Sequence, residues 1–254
     1  MAMQKKIITA GPLVLETIYP RVKSNDSIRA RQAKKKASSE AQARMNHIYS
    51  WQKLKLLLAA NLVRGDLVFT LTFSDDRLPA TREQVRRIVA GFRDKFSAAR
   101  QARGKHLVMF WSIEHLHGEG RWHIHCAANA TGNDYEEISR LWGRGSVDFS
   151  RLRVDREKNY ETLARYMAKE ERDKPGLRAW SYTRNAKRPE VESFLVPDDT
   201  QLRPPKDAIV FQSHIDRNEF GRWAFVEYAF PDALRAKRTA ARRRKGRMKP
   251  KLGV

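Results

Sequence analysis

Arg121-Trp-His-Ile-His-Cys-Ala-Ala128 is the stretch on which the reading of this chain turns. Read as a strand, it alternates its side chains between two faces, so His123 and His125 leave the same face side by side. Residues 106–114 read as a second strand. The joining segment holds Gly118 and Gly120, which predicts a hairpin. A turn centred near Gly118 sets Glu114 opposite His123, and directly opposed residues share a face. Two imidazoles and one carboxylate then form a three-ligand site for a divalent cation, with positions open for water and phosphate. A His-x-His pair alone is weak support for a metal site. His115 and His117 form a second such pair, and Glu119 is a second carboxylate. All three sit at the turn, where alternation is not guaranteed, so they rank below His123, His125 and Glu114.

Outward from the hairpin the elements are regular. Leu67-Val-Phe-Thr-Leu-Thr-Phe73 is strand-like, with Leu67, Phe69, Leu71 and Phe73 on one face and Val68, Thr70 and Thr72 on the other. Thr81 and Glu83 open a helix to about Arg100, with Val85, Ile88, Val89, Phe92 and Phe96 as its buried stripe. A short helix over 135–142, a strand over 147–154 and a helix over 159–172 follow, and Lys174-Pro175-Gly176 ends the last. The chain then reads as loop to Pro205, with a second hairpin from 209–215 and 223–230. On the N-terminal side, residues 39–62 form an amphipathic helix behind a basic arm over 21–36. Residues 1–20 are strand-compatible without a clear motif. The division expected is 1–62 as a basic helical extension with its amphipathic helix, 63–175 as the catalytic domain, 176–234 as a loop-rich region with a hairpin, and 235–254 as a disordered basic tail.

Charge is the strongest global feature: 51 Lys and Arg against 29 acids in 254 residues, a net +22. Such a balance attracts polyanions. Composition alone would equally suit a basic nucleic-acid-binding protein with no chemistry. Hydrophobic residues make up 41% of the chain, enough for a core, yet no apolar run approaches the roughly 20 residues of a membrane span. The single cysteine, Cys126, rules out an internal disulfide and suits a reducing compartment.

The helix over 159–172 carries two tyrosines. Tyr160 falls in the apolar stripe with Leu163 and Met167, so packing explains it. Tyr166 lies at the edge of that stripe and shares a helix face with Lys169 and Glu170. A fixed backbone, partial exposure and a nearby cation are what a nucleophilic phenol needs. Trp122 and Trp180 are candidates to stack on unpaired bases, and core packing explains them at least as well.

Phe69-Thr-Leu-Thr-Phe73, His123-Ile-His125 and Tyr166-Met-Ala-Lys169, in that order, resemble the three motifs of replication initiators of the His-hydrophobic-His endonuclease superfamily. Ser39–Asn46, Asn61–Asp66 and Trp180–Asn185 followed by Pro189 are similar to the bacterial plasmid and phage branch. The resemblance covers roughly residues 38–190. It implies an α+β fold with a central antiparallel sheet flanked by helices. It further implies Mg²⁺ or Mn²⁺ on His123, His125 and Glu114, Tyr166 as nucleophile and Lys169 as its companion. The spacing from Glu114 to the histidines is one residue longer than the family pattern. Thr162 stands where two-tyrosine relatives place their second tyrosine, so the single-tyrosine class is implied. The expected activity is nicking of single-stranded origin DNA in the bacterial cytoplasm, with Arg121 and Arg184 touching the nucleic acid. A transposase or mobilisation relaxase is the nearest rival. No Gly-x-x-x-x-Gly-Lys-Ser/Thr motif occurs in these residues, so a host helicase and a polymerase are expected partners.

Overall fold

The computed structural model describes residues 3–20, 40–115, 121–154, 159–169, 179–218 and 221–230. The chain divides into two units, one spanning Lys36–Lys187 and the other Met1–Lys35 with Arg188–Val254. The architecture is α+β, with two antiparallel five-stranded sheets and four helices among the described residues.

The strands of the larger unit are β3 (Leu67–Thr72), β4 (Met109–Glu114), β5 (His123–Ala128), β6 (Val147–Arg151) and β7 (Trp180–Tyr182), in the order β6-β3-β5-β4-β7. The histidine strand β5 is therefore central. Strand alternation divides this sheet cleanly. Leu67, Phe69 and Leu71 of β3, Met109 and Ile113 of β4, and Ile124, Cys126 and Ala128 of β5 are all buried on one face. Burial of the Cys126 thiol pushes its pKa well up, so it packs as an apolar group.

Helices α2 (Arg82–Gln101) and α3 (Asp134–Trp142) supply the other half of that core through Val85, Val89, Phe92, Phe96, Ile138 and Trp142. A capping box starts α2: Thr81 Oγ1 accepts from the Gln84 amide, and the Gln84 side chain accepts from the Thr81 amide. Behind the sheet, Arg100 is fully buried against Asp134, with Nη2 donating to Oδ1 at 2.8 Å. Its Nη1 donates to the Asn129 carbonyl and to Asn129 Oδ1, which clamps the chain just beyond β5.

Helices α1 (Glu40–Asn61) and α4 (Glu161–Met167) pack against each other. The first matches the helix expected over 39–62. The second is shorter than expected: Tyr160 is its N-cap, and it ends at Met167.

The smaller unit holds β1 (Met3–Ala10), β2 (Leu13–Pro20), β8 (Glu190–Val196), β9 (Ile209–Asn218) and β10 (Gly221–Ala229), ordered β8-β1-β2-β10-β9. Met3, Val14, Ile18, Ala224, Val226 and Tyr228 form its buried face. Glu16 is buried with them, paired to Lys5 at 2.7 Å and accepting from Tyr228 Oη at 2.6 Å.

Two expectations change here. Residues 3–20 are not the start of a helical extension but a hairpin, paired from Met3 to Val196 on one side and from Ile18 to Ala224 on the other. Residues 180–182 and 190–196 are strands where loop was expected. The basic arm over 21–36 and the tail over 235–254 lie outside the described residues.

Candidate active site

The sheet face opposite the core carries the chemistry. Glu114 of β4 stands directly opposite His123 of β5, the register read from the sequence. On the other side of β5, Thr72 pairs with His123 and Thr70 with His125. Each threonine hydroxyl meets the Nδ1 of its facing histidine, Thr70 at 3.1 Å and Thr72 at 3.3 Å. The two imidazoles lie nearly parallel, 10° between planes, with centroids 6.4 Å apart.

On the far side of the ring, His125 Nε2 makes a close hydrogen-bonded contact with Glu114 Oε2. Lys169 Nζ sits 2.6 Å from the other carboxylate oxygen of Glu114. Burial alone would raise the Glu114 pKa, but the hydrogen bonds from Lys169 and His125, with their charges, outweigh it and hold the carboxyl below its usual range. His125 is pushed the other way from its partner's preference: burial lowers its pKa and prevails over the Glu114 carboxylate, so the ring is neutral at pH 7.

Tyr166 reaches the same place from α4. Its Oη lies 3.3 Å from both ring nitrogens of His125, and the two rings meet edge to face. The side chain is 46% exposed, whereas Tyr160 is 3% exposed. Tyr160 Oη donates to the Leu62 carbonyl at 2.7 Å, so its hydroxyl is committed to the scaffold. Lys169 follows the helix end, with Nζ 4.2 Å from the centre of the Tyr166 ring. One ammonium therefore contacts both the phenol and the carboxylate. Glu170, His117 and Glu119 lie outside the described residues. His115 stacks on Trp122 at 3.9 Å.

The end of the sheet beside His123 is held tightly. Gly145 has φ +153°, and a Cβ there would fall 2.1 Å from the Thr72 carbonyl oxygen, so only glycine lets this loop approach β3. Trp142 Nε1 donates to the same carbonyl. Arg121 is exposed, donates to the Phe73 carbonyl at 3.1 Å and pairs with Asp75. Arg184 is exposed just after β7.

Trp122 and Trp180 are each 7% exposed, and their indole N–H groups donate to the Pro79 carbonyl and to Ser50 Oγ. Both are core aromatics, which leaves neither ring face open to an unpaired base.

Two imidazoles and a carboxylate are donor types that suit a divalent cation. Glu114 Oε2 and His125 Nε2 converge on one point, while His123 stands apart. Among the described residues no three His, Cys, Asp or Glu gather closely enough to form a finished metal cluster. Thr70 and Thr72 are the residues that the sequence did not single out. Alternation placed them on one face, but the pairing of their strand with the histidine strand was not readable.

Residues 66–171, under half of the chain, match a family model for the replication-associated protein ORF2. The matched span contains every residue of the site, from Thr70 to Lys169, and supports a place among replication initiators. No curated protein and no solved structure gives a significant match. No described helix is long and apolar enough to cross a membrane.

Proposed function

We propose that this protein nicks single-stranded DNA at a replication origin by transesterification onto Tyr166. The observation that carries this reading is the position of the Tyr166 hydroxyl, 3.3 Å from His125 on the face where the histidines and Glu114 stand. A replication-associated family match over the same residues points to DNA as the substrate. The net +22 charge suits a phosphate backbone.

His123, His125 and Glu114 would hold Mg²⁺ or Mn²⁺, and the chemistry such an ion supplies when bound is polarisation of the scissile phosphate. The protein's own groups do the rest. The α4 backbone fixes the phenol against the sheet. Lys169 places positive charge over the ring, which favours the phenolate, and holds Glu114 ionised. Tyr166 Oη attacks phosphorus in line. The P–Oη bond forms as the P–O3′ bond breaks. The phenolic proton passes to water, and the 3′ oxygen takes one up. One phosphodiester is exchanged for another, so a later 3′-OH can reverse the step. The products are a 5′-phosphotyrosine and a free 3′-OH able to prime a polymerase. Arg121 and Arg184 would contact the strand, and a host helicase would supply unwinding.

The test is incubation with supercoiled plasmid carrying the DNA around its own gene, with Mn²⁺ or with a chelator. Divalent-dependent conversion to open circles is expected. DNA binding without cleavage at any divalent concentration would overturn the reading in favour of a basic binding protein.

A further inference from the structure

We infer that Thr70 and Thr72 are positioning residues that pin the Nδ1 of His125 and His123 and so turn both Nε2 atoms toward the β4 side, where Glu114 stands. The inference rests on the reading of these histidines as metal-binding, and it adds the device that aims them.

β5 lies between β3 and β4. Thr70 and Thr72 on β3 are the register partners of His125 and His123, and both hydroxyls reach the same ring atom. An imidazole held at Nδ1 from one side presents Nε2 on the other. For His125 that is what occurs, since its Nε2 meets Glu114 on β4. The near-parallel planes show that His123 is turned the same way. A free imidazole on a strand has two ring orientations. Two threonines at the same spacing as the two histidines select one of them for both.

The hydroxyl also suits both proton arrangements. A neutral His125 facing an ionised Glu114 carries its proton on Nε2, so Thr70 donates to Nδ1. With Nε2 coordinated, the ring proton sits on Nδ1 and Thr70 accepts. A hydroxyl can do either, and valine can do neither. Strand propensity is the competing explanation for threonine in β3, and valine serves strands at least as well. Thr→Val therefore separates the two explanations.

The experiment uses full-length protein with Thr70→Val, Thr72→Val and the hydroxyl-retaining Thr70→Ser and Thr72→Ser. Histidine ring-nitrogen NMR is recorded without metal, and Mn²⁺ affinity is then titrated. Each valine variant is expected to move the Nδ1 signal of its own facing histidine and to weaken Mn²⁺ binding by about 10- to 100-fold. The serine variants should stay near wild type in both. Folded valine variants with unchanged ring-nitrogen signals and unchanged Mn²⁺ affinity would overturn the inference. Should the wild type itself take up no Mn²⁺, the metal reading fails, and the metal-free ring signals alone decide the role of the threonines.

Discussion

Asp134→Ala tests the support behind the histidine strand. Asp134 is 1% exposed and accepts from Arg100 Nη2 at 2.8 Å, from the Thr131 amide and hydroxyl, and from the Gly132 amide. Arg100 is 0% exposed. Removing the carboxylate strands a guanidinium in the core. Breaking a buried pair from one side costs about 3–5 kcal/mol, because the remaining charge loses its partner but stays desolvated. The double variant Arg100→Met with Asp134→Ala removes both charges and should recover most of that loss. Urea unfolding followed by circular dichroism measures both. The wild-type pair also has a pH signature. Burial raises the Asp134 pKa, but the Thr131 and Gly132 hydrogen bonds and Arg100 outweigh it, so the folded value is depressed. The stability it lends is present above the ordinary aspartate range and is lost as pH falls through the lower folded value. A single variant destabilised by less than about 1 kcal/mol, or a double variant no better than the single, would refute this account of the pair.

His123→Ala, His125→Ala and Glu114→Ala should each abolish cleavage while single-stranded DNA binding, measured by filter retention, persists; Glu119→Ala should still cleave. Lys169→Met removes the 2.6 Å contact that helps hold Glu114 ionised, so the Glu114 pKa rises and the acid-side decline of the cleavage profile moves to higher pH. An unmoved decline would show that Lys169 does not act through Glu114. Deleting 235–254 removes ten cations and no acid, so DNA affinity should fall and its salt dependence flatten with the nick position unchanged. A shifted nick would mean that this segment reads bases.

The parts of the fold that local pattern determines were legible. Period-two alternation and a glycine-bearing turn were enough to set Glu114 against His123. Helical spacing was enough to separate Tyr160 in the stripe from Tyr166 at its edge. What escaped depends on partners remote in sequence. β8, Glu-Val-Glu-Ser-Phe-Leu-Val, is an exposed edge strand without clean alternation, and its pairing with Met3–Thr9 spans most of the chain. Arg100 reads as one more basic residue on an amphipathic helix, and only Asp134, 34 positions on, makes its burial tolerable. The tryptophans looked available for stacking because nothing local reveals that the Pro79 carbonyl and Ser50 accept from their indoles. Lys169 was expected beside the phenol, and its grip on Glu114 became visible only once α4 was laid over the sheet.

The covalent adduct tests the central claim most directly. A labelled single-stranded oligonucleotide spanning the nick site is incubated with Mn²⁺ and wild type, Tyr166→Phe or Tyr160→Phe protein, then resolved on a denaturing gel. Peptide mass spectrometry locates the modified residue. Tyr166→Phe removes only a half-exposed hydroxyl, so the fold should survive. The account predicts a shifted species with wild type and Tyr160→Phe, mapped to Tyr166, and none with Tyr166→Phe. An adduct on Tyr160, or an undiminished adduct in Tyr166→Phe, would contradict it.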